Sequence, residues 1–254
     1  MKIIPIVFSP TGGTKRVTDA LLSQWEGTFE EVDLTNAKSD FSAFDFSKDD
    51  VAVIAVPSYS GRIPALAADR IKELHGNQTR CVIVGVYGNR AYEDTLIELN
   101  DLAEQSGFCV IAAVAAIAQH SIMHQYAAGR PDEQDKDELY GFAEKILDKI
   151  KNADCTSGLQ IPGNRPYKKA GEIGLVPKAD NRCTGCGLCA ENCPAEAISL
   201  DNLKTADSSK CISCMRCVEE CPASARKVNG AMVSAAALAI KKACSERKRN
   251  ELFI

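Results

Sequence analysis

Eight of the chain's twelve cysteines fall between Cys183 and Cys221, in two segments that repeat one another. "RCTGCGLCAENCPAEAI" and "KCISCMRCVEECPASAR" align at an offset of 28 residues, with the four cysteines, the preceding base and the following Pro-Ala coinciding. Thiolates are soft ligands that suit iron–sulfur clusters and zinc. In C-x2-C-x2-C-x3-C-P, three close thiolates on a tight loop can hold three corners of one cubane. The fourth precedes a proline that turns the chain away, and it reaches the other cluster. The spacing assigns Cys183, Cys186, Cys189 and Cys221 to one [4Fe–4S] cluster, and Cys211, Cys214, Cys217 and Cys193 to a second. Zinc is the competing chemistry. Its ligands usually come as C-x2-C pairs separated by a longer loop, four to an ion, and two triplets with trailing Cys-Pro fit that badly. No C-x3-C-x2-C triplet occurs.

A second chemically suggestive stretch is "FSPTGGTKR", Phe8–Arg16, which follows the first apolar run. Ser9, Thr11 and Thr14 offer hydroxyls, and Gly12 and Gly13 let the backbone curl round an anion at a helix N-terminus. No lysine stands in the Walker position and no G-x-G-x-x-G is present, so the pattern fits a cradle for a single phosphate. An ordinary glycine-rich turn is the plainer reading of the same residues. The segment Gln119–Pro131 adds His120 and His124, which could supply a proton or bind an anion. One surface and one packing histidine is the plainer reading, and a metal pair lacks a third ligand. His120 is the preferred catalytic candidate.

The elements that must position these groups are legible from hydropathy. Ile3–Phe8, Phe29–Leu34, Val51–Val56, Cys81–Tyr87 and Phe108–Ala118 read as strands, several of them apolar throughout, as in a sheet covered on both faces. Gly13–Gln24, Ala65–Leu74, Tyr92–Gln105 and Asp132–Lys151 read as the intervening helices. Five strands alternating with helices predict a doubly wound α/β parallel sheet. Residues 1–152 therefore form the first domain, 153–178 a Gly/Pro-spaced linker, 179–230 the cysteine-rich unit and 231–254 a C-terminal helix. Cys81 and Cys109 sit in apolar runs and read as buried thiols.

The formal net charge is −4 over 254 residues, unevenly spread. Residues 1–152 carry 23 acids and 15 bases, whereas the linker and the C-terminal segment are net basic. Either these basic segments dock on the acidic first domain or they are merely solvated. The balance excludes a basic nucleic-acid domain, and no apolar run reaches a membrane span. Clustered cysteines and an N-terminus without a long apolar stretch read as a cytoplasmic protein.

The cysteine segment resembles bacterial-type ferredoxins with two [4Fe–4S] clusters over about fifty residues, which implies a small α+β pseudo-twofold fold. Ser9-Pro10-Thr11-Gly12-Gly13-Thr14 resembles the phosphate loop of flavodoxins, which implies FMN and a five-stranded sheet of order 2-1-3-4-5. Two later loops fall where that fold places its flavin: "PSYSGRIP", carrying Pro57, Ser58, Tyr59, Ser60 and Gly61, and "YGNRAYEDT", carrying Tyr87, Gly88, Asn89, Arg90 and Tyr92. Their glycines allow close backbone approach, and Tyr59 or Tyr92 could cover a flat ring. The whole arrangement, with "YGNRAYEDT" and "QHS", looks like ferredoxin-family proteins of anaerobes that carry an N-terminal flavodoxin-like domain. The resemblance implies electron flow between two clusters and FMN, with a redox protein as donor or acceptor. One expectation is an oxidoreductase that reduces a small acceptor with electrons from a low-potential donor. The alternative is a non-enzymatic carrier between ferredoxin- and flavodoxin-type protein partners.

Overall fold

The computed structural model describes residues 1–152, 158–171 and 174–254. Cys155 and part of the expected linker lie outside the described residues. The first half alternates strand and helix: β1 (Lys2–Val7), α1 (Gly13–Leu22), β2 (Thr28–Phe29), β3 (Val32–Asp33), β4 (Val51–Pro57), α2 (Ala65–Lys72), β5 (Arg80–Tyr87), α3 (Thr95–Gln105), β6 (Cys109–Ile117) and α4 (Glu133–Asn152). β2 and β3 pair with the two ends of β1, so together they are one interrupted strand. With that merger the parallel order is the flavodoxin-type 2-1-3-4-5.

The strands are β-branched and apolar because both faces are covered. One face packs Ile6, Ile54, Ile83 and Leu96 into a core layer; the other packs Val53, Val84, Val114 and Leu139. Burial of this kind contributes about 25 cal/mol per Å² of apolar surface. Cys81 is a buried free thiol, as its apolar setting predicts; Cys109 is buried but disulfide-bonded, not a thiol.

The cysteine-rich unit holds a two-residue antiparallel pair, β7 (Lys178–Ala179) and β8 (Arg226–Lys227), and two short helices, α5 (Leu188–Glu191) and α6 (Arg216–Glu219). The C-terminal segment corrects the expectation of one helix over 231–254. It forms α7 (Gly230–Ile240), a 3-10 turn at Lys242–Cys244, and β9 (Glu251–Phe253), which pairs antiparallel with β6 at the sheet edge. The reason is pairing with the first domain. Arg247 bonds Asp132 at 2.7 and 2.9 Å, and Arg249 bonds Glu138 at 3.0 Å. Asn250 Oδ1 accepts the Ile117 N–H at 2.9 Å, closing an otherwise open edge. Arg247 and Arg249, charges that resemble a solvated helix end, therefore have fixed partners at the start of α4 and on it.

The basic linker docks as well. Arg165 and Tyr167 bond Asp101, Lys168 bonds Glu93, and Asp94 accepts the N–H groups of Asn164 and Lys168 at 2.9 and 2.7 Å. Arg62 bridges Glu98 and the Lys168 carbonyl. The charge asymmetry thus resolves into contacts between the linker and the acidic first domain.

Candidate functional site

The loop between β1 and α1 turns at Gly12, whose φ of 78° lies in the left-handed region that favours glycine. Gly12 N–H donates to the Ser9 carbonyl at 3.3 Å, and Lys15 N–H to Ser9 Oγ at 2.9 Å. Ser9 N–H in turn donates to Thr35 Oγ1 at 2.8 Å. Ser9 thus shapes the loop as well as facing its hollow. Gly12 offers no side-chain cap and Ser9 Oγ takes the Lys15 N–H, which leaves the N–H groups of Gly13 and Thr14 for an external acceptor.

That loop lines one wall of a cavity of about 1040 Å³, open mouth included. Ser9, Thr11, Gly13 and Thr14 form the side made by the β1–α1 loop. Pro57, Ser58, Tyr59 and Ser60 come from the end of β4, and Tyr87, Gly88 and Arg90 from the end of β5. The topology explains the convergence, because all three loops leave the C-terminal edge of adjacent parallel strands. The segment after β6 supplies Gln119 to Met123, including His120.

Four expected residues do not line this cavity. Gly12 faces a neighbouring groove shared with Lys15 and Arg216. Gly61, with φ +81°, makes the tight turn in which Tyr59 and Arg62 exchange backbone hydrogen bonds, and Glu93 fills the space where a Cβ would stand. Asn89 holds the C-terminal segment: its Nδ2 donates to the carbonyls of Cys244 and Glu246 at 3.0 and 2.9 Å. Tyr92 packs edge-on against Tyr87 at 5.3 Å, and its hydroxyl donates to Glu251 at 3.1 Å, which directs it toward β9. Of the two candidate tyrosines for a flat ring, Tyr59 alone lines the cavity, where Tyr87 joins it.

Two wall residues come from elements that the sequence does not connect to this site: Ser213, between Cys211 and Cys214, and Ile240 at the end of α7. Neither carried a local signal, since each arrives through packing of distant chain. α7 is held there by Tyr126, whose hydroxyl donates to the Ala237 carbonyl at 2.6 Å.

The electrostatics favour neutral groups. His120 Nδ1 accepts the N–H groups of Ile122 and Met123 at 3.1 and 3.3 Å, so the neutral ring carries its proton on Nε2. Burial, aided by His124 and Arg90, lowers its pKa to about 4. Burial raises the Tyr59 phenol well above its ordinary value, with Cys214 nearby adding to the effect. Tyr87 is pushed up to about 12, chiefly by burial. The one cationic wall residue, Arg90, is paired with Glu93 through two hydrogen bonds of 3.0 and 2.7 Å.

The eight cysteines line two separate cavities. One cavity is lined by Cys183, Cys186, Cys189 and Cys221, and another by Cys193, Cys211, Cys214 and Cys217. All eight are free thiols. The Ala197 N–H donates to Cys193 Sγ and the Ala225 N–H to Cys221 Sγ, each at 3.3 Å, the same contact in both repeats. Burial pushes the Cys214 and Cys217 thiols up to about 12 and about 11. Four sulfur donors around an apolar cavity, with amide N–H groups directed at sulfur, suit an anionic iron–sulfur group. The second cavity is the inner one: Cys214 follows Ser213 in the wall of the larger cavity, and Ile212 packs against the first-domain core.

Residues 182–228 match the family described as the 4Fe-4S dicluster domain. NADH-quinone oxidoreductase subunit I of Sodalis glossinidius (strain morsitans) is 43% identical over 49 residues, which are 18% of this chain and 27% of that protein. The chain thus spans about a quarter of the length of that curated relative. Oxidised Flavodoxin 1 from Bacillus cereus aligns with a TM-score of 0.42 at 14% identity, over 61% of this chain and 100% of its own. The Flv1 flavodiiron core from Synechocystis sp. PCC6803 aligns at 0.44 and 14%, over 61% and 37%. Among the described residues no helix is long and apolar enough to cross a membrane. By its strand order the first domain has the flavodoxin-type doubly wound sheet, and the segment joined to it, with its paired cysteine motifs, matches the 4Fe-4S dicluster domain over residues 182–228.

Proposed function

We propose that the chain is an iron–sulfur flavoprotein passing electrons between two [4Fe–4S] clusters and FMN, and that it reduces a small acceptor with electrons from a low-potential donor. One observation carries this reading: Ser213, between two cysteines of the inner cavity, shares a wall with the phosphate loop and Tyr59. Clusters would supply one-electron chemistry and FMN one- or two-electron chemistry. The chain's residues then have these roles. Ser9, Thr11, Gly13 and Thr14 would hold the phosphate, and Pro57–Ser60 with Tyr87–Gly88 the ring system. The neutral His120 would offer its Nε2–H to a group bound in the cavity. Gln119 to Met123 and Ile240 enclose space beside the ring for an acceptor.

Anaerobic reconstitution tests the cofactors: flavin bands should accompany iron near eight per chain. Changing Ser9, Thr11 and Thr14 together to Ala should abolish flavin retention while iron stays. Unchanged flavin content overturns the phosphate-loop assignment. Turnover of reduced protein with quinones or nitroaromatics supports the enzyme. Reoxidation by redox proteins alone supports the carrier.

A further inference from the structure

Among the positions where the two cysteine repeats differ, one is buried beside the cavity in both repeats and charged in only one of them. Ile198 follows the first Cys-Pro segment, and at the same offset of 28 residues the second repeat has Arg226. Ile198 lines the inner cavity and Arg226 the outer one. Arg226 is only 2% exposed. Its Nη1 donates to the Leu203 carbonyl at 2.6 Å and lies 3.6 Å from Cys189 Sγ; its Nη2 donates to the Pro177 carbonyl at 3.0 Å. The guanidinium also reaches Cys217, a ligand of the inner cavity. Its Nε is buried with no acceptor, and among the described residues no carboxylate pairs with it.

Burying a cation without a counter-charge costs several kcal/mol. Neutral carbonyls satisfy hydrogen bonds but do not cancel charge, so the compensating anion must be the cysteine-bound group on either side. A fixed positive charge favours the more negative, reduced state of such a group. Because Arg226 lines the outer cavity, the effect is larger there. We infer that Arg226 is a redox-tuning residue that raises the reduction potential of both clusters, and of the one held by Cys183, Cys186, Cys189 and Cys221 the more. The charge then shifts the sharing of an electron between the two clusters toward the outer one. The inference rests on the two-cluster reading, which iron content checks separately.

The test is an EPR-monitored redox titration of the full chain as wild type, R226M and R226K, each with its iron content measured. Methionine keeps bulk without charge, and the isoleucine at the twin position shows that an apolar residue suits this fold. R226M is expected to retain iron near the wild-type value. The outer-cluster step should become about tenfold less favourable, about 59 mV lower for one electron, and the inner step should fall by less. R226K keeps the charge and should hold both steps at the wild-type values. Unmoved steps in an iron-replete R226M overturn the inference. If R226M sheds iron, R226K decides: full iron with wild-type potentials supports the role. Loss of iron from both variants, or lowered potentials in R226K, makes Arg226 a structural support and overturns it.

Discussion

His120 shows how one side chain's surroundings set its chemistry. Its ring accepts two backbone N–H groups and its folded-state pKa falls from 6.5 to about 4, so it stays neutral with its proton on Nε2. The unfolded chain takes up this proton below about 6.5 while the folded chain resists until about 4. Stability therefore falls as pH drops through that window, by up to about 3 kcal/mol, and is unaffected by this group above it. H120Q should flatten this part of the profile, and urea midpoints at pH 7 and pH 5 check it. Gly88 backs the same ring: a Cβ there would stand 2.8 Å from His120 Cβ. G88A should displace His120 and weaken flavin binding about tenfold or more, with iron content unchanged, measured by fluorescence titration of the apoflavin protein. The grouping of the cysteines around two cavities was legible because each triplet lies on one tight loop and the trailing cysteine follows a fixed repeat. Tyr92 was misassigned because its partner, Glu251, lies 159 residues away.

At the scale of elements, the strap formed by β9 depends on one buried side chain. Asn250 is 7% exposed; it accepts the Ile117 N–H and donates to Asp135 and Glu138 at 3.1 and 2.9 Å. Asp135 is itself fully buried and paired with Arg130. N250A leaves the Ile117 amide without its acceptor and two carboxylates one donor short, a loss of about 1–3 kcal/mol. Chemical denaturation should show that loss as a lower midpoint with unchanged slope, whereas N250D, facing two acids, should lose at least as much. The five parallel strands were legible because apolar β-branched runs between helical patterns have few alternatives. β9 was not, since three residues pair only because β6 leaves an open edge elsewhere in the chain. The interruption between β2 and β3 escaped for the same reason: periodicity says little over two residues.

The whole molecule is arranged by contacts that fix the ferredoxin unit over the sheet's C-terminal edge. Arg70 on α2 is 7% exposed; it donates to the Leu34 carbonyl at 2.5 Å and to the Pro194 carbonyl at 2.6 Å, beside Cys193. Ile212 and Ser213, eighteen and nineteen residues further on, pack against the first domain, to which the linker and β9 are also docked. These key contacts are buried hydrogen bonds and apolar packing, which salt screens little, unlike the exposed ion pairs of the linker. Electron transfer between the units should therefore be intramolecular. Flash-reduced protein should reach its final cluster-to-flavin distribution with a first-order rate constant unchanged over a hundredfold dilution and nearly unchanged between low and high salt. R70M removes both donors and should slow that step without changing iron or flavin content, because Arg70 touches neither cavity's cysteines directly. A rate that scales with protein concentration would mean that the units meet between molecules, and that the packing at Pro194 and Ser213 does not set the path.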